Sequence, residues 1–190
     1  MFQYTTAQSE EEIQQILQLQ LANLPKNISA TEAKLQGFVT VHHSPEILHA
    51  MNVPYPHIIA KVKERVVGYT LVMLRKFKDE VSVLKPMFQK IDGLSFHKKP
   101  LLNTKYFVMG QVCVDKNFRG QGVFNGLYQQ MRKEMSPFFD CIITEIATRN
   151  TRSMRAHHKV GFEIISVYST EQEEWAIVGW NFENKLQSKL

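Results

Sequence analysis

The segment with the clearest chemical potential runs from Val112 to Phe124 and reads VCVDKNFRGQGVF. An apolar run leads into a short polar loop, and two glycines precede an amphipathic helical pattern. The first amide hydrogens of a helix carry partial positive charge, and glycine lets the backbone approach an anion closely. Lys116 and Arg119 add positive charge beside them. This order predicts a phosphate-binding loop, although turns also use glycine for structural reasons alone.

Two common nucleotide-binding patterns do not occur in the sequence, namely GxxxxGK[ST] and GxGxxG followed by an acidic residue. The run from Arg119 to Phe124, RGQGVF, instead resembles motif A of the GNAT N-acetyltransferases, R/Q-x-x-G-x-G/A. Phe124 departs from that pattern, because the family usually has Gly or Ala there. The resemblance implies that this loop binds the pyrophosphate of acetyl-CoA.

A second segment, Asn150 to Phe162, reads NTRSMRAHHKVGF and resembles motif B of the same family, N-x-x-[SA]-x-x-[LA]-[YH]-x-K-x-G-F. Both motifs stand in the order and in the strand-to-helix context that the family shows. The resemblance therefore implies a set of cofactor-binding residues, which are Val112, Cys113, Val114, Arg119, Gly120, Gln121, Gly122, Val123, Phe124, Asn150 and Lys159.

The resemblance implies acetyl-CoA as the acyl donor and a primary amine that attacks the thioester directly. Backbone groups of the strand from Gln111 to Val114 would pair with the pantetheine, and one amide hydrogen would polarise the thioester carbonyl. Gln111 itself cannot serve as a base. Cys113 as an acyl-carrying nucleophile is an alternative, but a cysteine inside an apolar strand is more often inert packing.

Two side chains are candidates for proton transfer. His157 stands where the family commonly has a tyrosine that protonates the leaving thiolate, and an imidazole is mostly neutral at pH 7. Its alternative is a surface histidine packed beside His158. Glu145 is the candidate general base. It lies in the strand predicted after the helix that follows the phosphate-binding loop. Its alternative is a carboxylate paired with Arg149 or Lys159.

The acceptor is expected to be held by the segments Gly37 to Pro56 and Ser169 to Glu174. Their polar side chains suit a cationic amine, with solvated loop charges as the alternative; they are His42, His43, Glu46, Glu171, Glu173 and Glu174. The net charge is +5. Lys and Arg are in excess in the middle of the chain, whereas both ends are acidic, and a basic centre favours an anionic ligand.

The surrounding sequence predicts the elements that must position these residues. Ser9 to Glu12 forms a capping-box pattern that begins a helix ending before Pro25, and a short strand precedes it. Two apolar runs, His57 to Val62 and Val66 to Leu74, predict a hairpin. A loop with one short helix near Met87 to Ile91 follows.

The second half of the chain alternates between strand and helix patterns. The predicted elements are a strand at Tyr106 to Val114, a helix at Val123 to Met135, a strand at Cys141 to Ile146, a helix at Asn150 to Lys159 capped by Gly161, and strands at Phe162 to Tyr168 and Trp175 to Phe182. This order predicts one α/β domain over residues 1–190. The resemblance implies the GNAT-type fold, a central and mostly antiparallel twisted sheet with flanking helices.

Composition limits the class of protein. The chain has 190 residues, of which 44% are hydrophobic and 22% charged, as in ordinary globular proteins. No apolar run approaches the ~18 residues of a membrane helix, and the N-terminus is acidic where a secretory signal is basic. Two cysteines give neither a disulfide framework nor a metal spacing. We therefore expect a cytoplasmic protein without a bound metal, and a homodimer is compatible with the family.

The sequence is also compatible with two other functions. A GNAT-fold protein that binds coenzyme A without transferring an acetyl group would carry the same loop. A nucleic-acid-binding module is suggested by the positive charge and 12 phenylalanines. No RNP, KH or zinc-finger pattern accompanies them, which makes this second alternative weaker.

Overall fold

The computed structural model describes residues 1–29, 31, 39, 41–80, 85–171 and 173–182. The helices in these ranges are α1 (Glu10–Ala22), α2 (Pro45–Met51), α3 (Lys85–Ile91), α4 (Val123–Met135) and α5 (Thr151–Val160). The strands are β1 (Gln3–Thr6), β2 (Ile58–Val62), β3 (Arg65–Met73), β4 (Ser95–Phe96), β5 (Lys99–Pro100), β6 (Tyr106–Val114), β7 (Cys141–Ala147), β8 (Glu163–Ser169) and β9 (Glu174–Asn181).

Seven strands form the main sheet in the order β1-β2-β3-β6-β7-β9-β8, and β4 pairs with β5 separately. The pairs β1–β2, β2–β3, β7–β9 and β8–β9 are antiparallel. Strands β6 and β7 run parallel, with Tyr106 opposite Cys141 and Val108 opposite Ile143. The predicted fold class, a mixed α/β protein with a mostly antiparallel sheet and flanking helices, is confirmed.

Helix α1 begins as the sequence predicts. The Ser9 hydroxyl accepts the backbone N–H of Glu12 at 3.2 Å, and the Glu12 carboxylate accepts the backbone N–H of Ser9 at 3.2 Å. Ile13, Ile16 and Leu17 are buried on one face. Leu21, which shares their spacing, is 45% exposed, because the buried stripe of this helix also takes in Leu19 and Gln20.

Helix α5 has both predicted ends. The Asn150 side chain accepts the backbone N–H of Ser153 at 3.1 Å and caps the first turn. Gly161 ends the helix with φ of 121° and donates its N–H to the carbonyl of His157. A positive φ is the conformation that favours glycine at a helix end. The two caps thus determine where helix α5 begins and ends.

The β2–β3 hairpin forms around Lys63, which has φ of 55°. On β3, Gly68 lets the start of α4 approach closely. A Cβ at Gly68 would lie 3.1 Å from Val123 Cγ1 and 3.2 Å from the carbonyl oxygen of Cys113. The absence of a side chain at this position therefore fixes where helix α4 begins relative to β3.

The chain divides into two compact units, Met1–Val72 with Met109–Glu134, and Met73–Val108 with Met135–Leu190. We call these unit 1 and unit 2. Buried residues of unit 1 include Ile16, Tyr69 and Tyr128, and those of unit 2 include Phe88 and Phe107. Whether residues 1–190 behave as one domain stays a prediction.

Some elements were not predicted from the sequence. The β4–β5 pair and the 3₁₀ turns at Arg75–Asp79 and Leu101–Asn103 lie in a stretch expected to be loop with one short helix. The weak helix or loop expected over residues 31–37 lies, apart from Thr31, outside the described residues. Within the described ranges, no helix is both long and apolar enough to cross a membrane.

Candidate active site

The loop that joins β6 to α4 in unit 1 begins at Asp115, a buried residue. Its Oδ1 accepts the backbone N–H of Asn117 at 2.9 Å, and its own N–H donates to the carbonyl of Val67 at 2.9 Å. The Arg65 guanidinium contacts Asp115 Oδ2 at 2.5 Å and lies 5.8 Å from the centroid of the Phe118 ring. These contacts fix the path of the chain before it reaches the glycines.

Gly120 and Gly122 both adopt the left-handed backbone conformation, with φ of 77° and 83°. Non-glycine residues adopt this conformation only at a cost of about 1–2 kcal/mol. Among the described residues, apart from the glycine itself and its two chain neighbours, no heavy atom lies within 4 Å of the place where a Cβ would stand at either position. The backbone therefore turns an open face outward just before α4, where the first amides of a helix have no intrahelical acceptor. This arrangement fits a diphosphate.

Arg119 and Gln121, both predicted to bind the cofactor, brace this loop. Arg119 donates from Nε to the carbonyl of Val114 at 3.1 Å and from Nη2 to Asn23 Oδ1 at 2.6 Å. Gln121 donates from Nε2 to the carbonyl of Asn117 at 3.0 Å. Asn23 was not identified from the sequence, because no local pattern joins residues 96 positions apart.

The strand before the loop carries a buried polar network. Tyr69 donates to Gln111 Oε1 at 2.5 Å, and Gln111 donates from Nε2 to the carbonyl of Val41 at 2.7 Å. Cys113 is buried, and this burial raises the pKa of its thiol to about 12. A thiol that stays protonated at neutral pH is a poor nucleophile, so the packing interpretation of Cys113 is favoured. Val112 and Val114 are half-buried.

The first turn of α4 holds the remaining predicted residues of motif A. Val123 is buried against Gly68. Phe124 is half-buried, and its ring centroid lies 5.0 Å from that of Tyr128, one turn along the helix. The aromatic side chain that departs from the family pattern thus contacts its own helix.

In unit 2, the residues of motif B lie on α5. Asn150 uses its side-chain oxygen as the helix cap. Lys159 is exposed and lines a cavity of about 290 Å³. His157 also lines this cavity, whose apolar walls include Phe162, Ile164 and Val178. The structure therefore brings Lys159 and His157 to one cavity within unit 2.

His157 is 2% exposed, so the alternative interpretation, a surface histidine beside His158, is wrong. Burial lowers the pKa of His157 to about 4, which makes its imidazole neutral at pH 7. Nδ1 lies 2.9 Å from the carbonyl oxygen of Ser153. A carbonyl only accepts, so this geometry assigns the hydrogen to Nδ1 and leaves Nε2 as the acceptor nitrogen. The ring stands edge-on to Phe162.

Glu145 lies on β7 and accepts a hydrogen bond from the Tyr168 hydroxyl, with Oη 2.6 Å from Oε2. Burial raises the pKa of the Glu145 carboxyl, and the bond from Tyr168 opposes part of that rise. A half-buried carboxylate of raised pKa suits a general base. Arg149, one of the partners proposed in the alternative interpretation, donates a hydrogen bond to Glu173. Tyr168 was missed because its partnership depends on strand register.

The residues expected to hold the acceptor have different environments. His43 is 3% exposed, and burial lowers its pKa to about 4. Gln20 Nε2 lies 3.2 Å from its Nδ1, so His43 is a neutral residue of the interior rather than a surface ligand. Glu174 accepts a hydrogen bond from the Thr148 hydroxyl at 2.8 Å. His42, Glu46 and Glu171 are exposed.

Within the ranges that the structure describes, no group of three or more His, Cys, Asp or Glu side chains could hold a metal ion. The structure also shows which candidate residues lie together. The residues from Val112 to Phe124 form one continuous segment of unit 1, which comprises the end of β6, the loop and the start of α4. Glu145, His157 and Lys159 belong to unit 2, where Glu145 is paired with Tyr168.

Comparison with solved structures shows the fold. The chain resembles the ribosomal-protein-S18-alanine N-acetyltransferase of Escherichia coli with a TM-score of 0.62 and 9% identity, over 96% of this chain and 94% of that one. It resembles yncA of Salmonella typhimurium, solved with its cofactor acetyl-CoA, with a TM-score of 0.62 and 14% identity over 97% and 96% of the two chains.

A third similar structure is the NatC complex bound to Gag peptide and CoA, with a TM-score of 0.64 and 14% identity over 95% and 98% of the chains. A search of curated proteins gives no match. The model of the GNAT acetyltransferase family matches residues 26–162, which is most of the chain and includes both motifs. The chain belongs to the GNAT acetyltransferase family.

Proposed function

We propose that this chain is an acetyl-CoA-dependent N-acetyltransferase whose acceptor is a primary amine. The observation that carries the proposal is the open backbone face at Gly120 and Gly122, which have positive φ and stand directly before helix α4. A family match over residues 26–162 and structural neighbours solved with CoA or acetyl-CoA support it.

In this proposal, the amides around Gly120 to Val123 bind the diphosphate, and Arg119 and Gln121 keep the loop in shape. Backbone groups from Val112 to Val114 pair with the pantetheine. Asn150 and Lys159 contribute from helix α5, Lys159 as a cation for the anionic cofactor. Bound acetyl-CoA supplies an acetyl group activated as a thioester.

Glu145 is the proposed general base. An acceptor ammonium gives one proton to the carboxylate, so an N–H bond breaks and an O–H bond forms, which leaves the amine neutral. Its attack on the thioester would form the C–N bond of the amide and break the C–S bond, and coenzyme A would leave as the thiol with the second proton of the amine. The raised pKa of Glu145 brings the carboxyl closer to the pKa of its substrate than an exposed glutamate. The proton-donor role of His157 stays a prediction, and its neutral ring bonded to Ser153 weighs against it.

Two further expectations belong to this proposal. Both cysteines, Cys113 and Cys141, are free and buried, which agrees with the reducing cytoplasm that we propose as its location. A homodimer stays a prediction that gel filtration with light scattering can check.

The test of the proposal is release of free coenzyme A thiol from acetyl-CoA in the presence of a panel of small amines, amino acids and peptides. We expect thiol release that depends on at least one amine, together with mass-spectrometric detection of its acetylated product. Binding of coenzyme A without turnover of any amine would favour the non-catalytic alternative. Absence of both would contradict the proposal.

A further inference from the structure

We propose that Tyr168 is a positioning residue for catalysis, which occupies one oxygen of the Glu145 carboxylate and reserves the other for the acceptor ammonium. This inference rests on the proposed function and adds a residue that neither family motif contains. Its evidence is the strand register, the geometry of the hydrogen bond and the protonation of the phenol.

The register of β7, β9 and β8 explains how the two side chains meet. Glu145 stands opposite Ile177 on β9, and Ile177 stands opposite Ser166 on β8. Tyr168 lies two residues beyond Ser166, so its side chain projects from the same face of the sheet as that of Glu145. The two side chains reach each other across β9, because two strand spacings of about 4.8 Å each lie within the combined length of a tyrosine and a glutamate side chain.

The hydrogen bond has the length of a strong interaction. The Tyr168 Oη to Glu145 Oε2 distance is 2.6 Å, which is the range for a hydroxyl that donates to an ionised carboxylate. Burial and the negative charge of Glu145 raise the pKa of Tyr168 well above its usual range. The phenol therefore keeps its hydrogen at neutral pH and always donates, so Oε2 is occupied and Oε1 is the oxygen that can take a proton.

The groups around this pair agree with such a role. From β8 the titratable neighbour of Glu145 is Tyr168, and β9 presents the apolar Ile177 between them. From α3, the ammonium of Lys90 lies 5.8 Å from the centroid of the Tyr168 ring. A cation on the ring face holds the ring in place. Tyr168 is thus fixed from one side by Lys90 and from the other by Glu145.

The test compares Tyr168→Phe with the wild type and with Val167→Thr, a control on the same strand whose residue is 50% exposed. For Tyr168→Phe we expect kcat with the amine to fall about tenfold, the size of one lost hydrogen bond to a charged group. The KM for acetyl-CoA should not change. The acidic limb of the kcat profile should move to higher pH, because the bond that stabilises the carboxylate is lost.

A direct titration separates this inference from the proposed function. The carboxyl signal of Glu145, followed by carbon-13 NMR and assigned with Glu145→Gln, should titrate at higher pH in Tyr168→Phe than in the wild type and in Val167→Thr. An active wild type whose pH profile and Glu145 titration are the same in Tyr168→Phe would overturn the inference alone. A wild type that binds no coenzyme A and turns over no amine would overturn the proposed function, and the inference with it.

Discussion

Cys113, Glu145 and His157 show how burial changes the chemistry of a side chain. Burial raises the pKa of the Cys113 thiol to about 12 and lowers the pKa of the His157 imidazole to about 4, so both are neutral at pH 7. Burial also raises the pKa of the Glu145 carboxyl, but the Tyr168 hydroxyl stabilises its charged form. Of the three, Glu145 is the side chain whose environment suits proton transfer to and from a substrate.

The first prediction concerns Glu145 itself. We expect Glu145→Gln to lower kcat/KM for the amine by about 10²–10⁴, the usual contribution of a general base, with affinity for coenzyme A unchanged. In the wild type, kcat/KM should fall as the pH drops through the raised pKa of Glu145, since only the carboxylate accepts a proton. Steady-state kinetics from pH 5 to pH 9 measure both effects.

The control for that experiment is Glu163→Gln. Glu163 is an exposed residue of β8 whose Oε1 lies 3.3 Å from His97 Nε2, so its loss should leave the rate and its pH profile unchanged. Equal activity of Glu145→Gln and the wild type would show that the base is another group, or water.

The sequence predicted the helix caps and element limits that short-range patterns determine. The capping box at Ser9, the Asn150 and Gly161 caps and the limits of β6 and α4 follow from neighbouring residues, and the structure has them. The contacts between Asn23 and Arg119 or between Glu145 and Tyr168 depend on packing and register. Burial of His157 likewise depends on which face of α5 packs inward, and its local spacing does not show this.

The second prediction concerns how β1 and α4 pack within unit 1. A Cβ at Gly126 would overlap the ring of Tyr4. We expect Gly126→Ala to lower the free energy of unfolding by about 1–3 kcal/mol, the usual cost of overpacking. The loss should be smaller when the same change is made in a Tyr4→Ala background, because the ring is then absent.

Urea denaturation of the four proteins in this cycle measures the coupling. Gly93→Ala is the matched control, since its Cβ would meet the carbonyl of Lys90 at an ordinary 3.8 Å. Additive effects of the Gly126 and Tyr4 substitutions would contradict the close packing of β1 on α4.

Three buried histidines predict how the stability of the folded protein responds to acid. Burial lowers the pKa of His43 and His157 to about 4 and that of His57 to about 3. An unfolded histidine titrates near 6.5, so below that pH the unfolded chain binds more protons than the folded one. Stability should therefore fall as the pH drops from about 6.5 towards 4.

We expect the free energy of unfolding to fall between pH 7.5 and pH 5 by on the order of 2 kcal/mol per buried histidine. Urea denaturation across that range measures how the free energy of unfolding depends on pH. In His57→Gln, the number of protons that the chain takes up on unfolding should be smaller by about one. His57 is fully buried between the carbonyl of Leu48 and the N–H of Val72. A free energy of unfolding that does not change over this range would contradict the neutral state of these rings.

The proposed function requires that the backbone at Gly120 and Gly122 binds the diphosphate of coenzyme A. Calorimetric titration of the wild type, Gly122→Ala and Gly93→Ala with coenzyme A tests it most directly. We expect binding by the wild type and Gly93→Ala, and affinity at least about tenfold weaker in Gly122→Ala, because alanine strains a backbone with φ of 83° and fills the open face. No heat from coenzyme A with the wild type, or equal affinity in all three proteins, would contradict the claim.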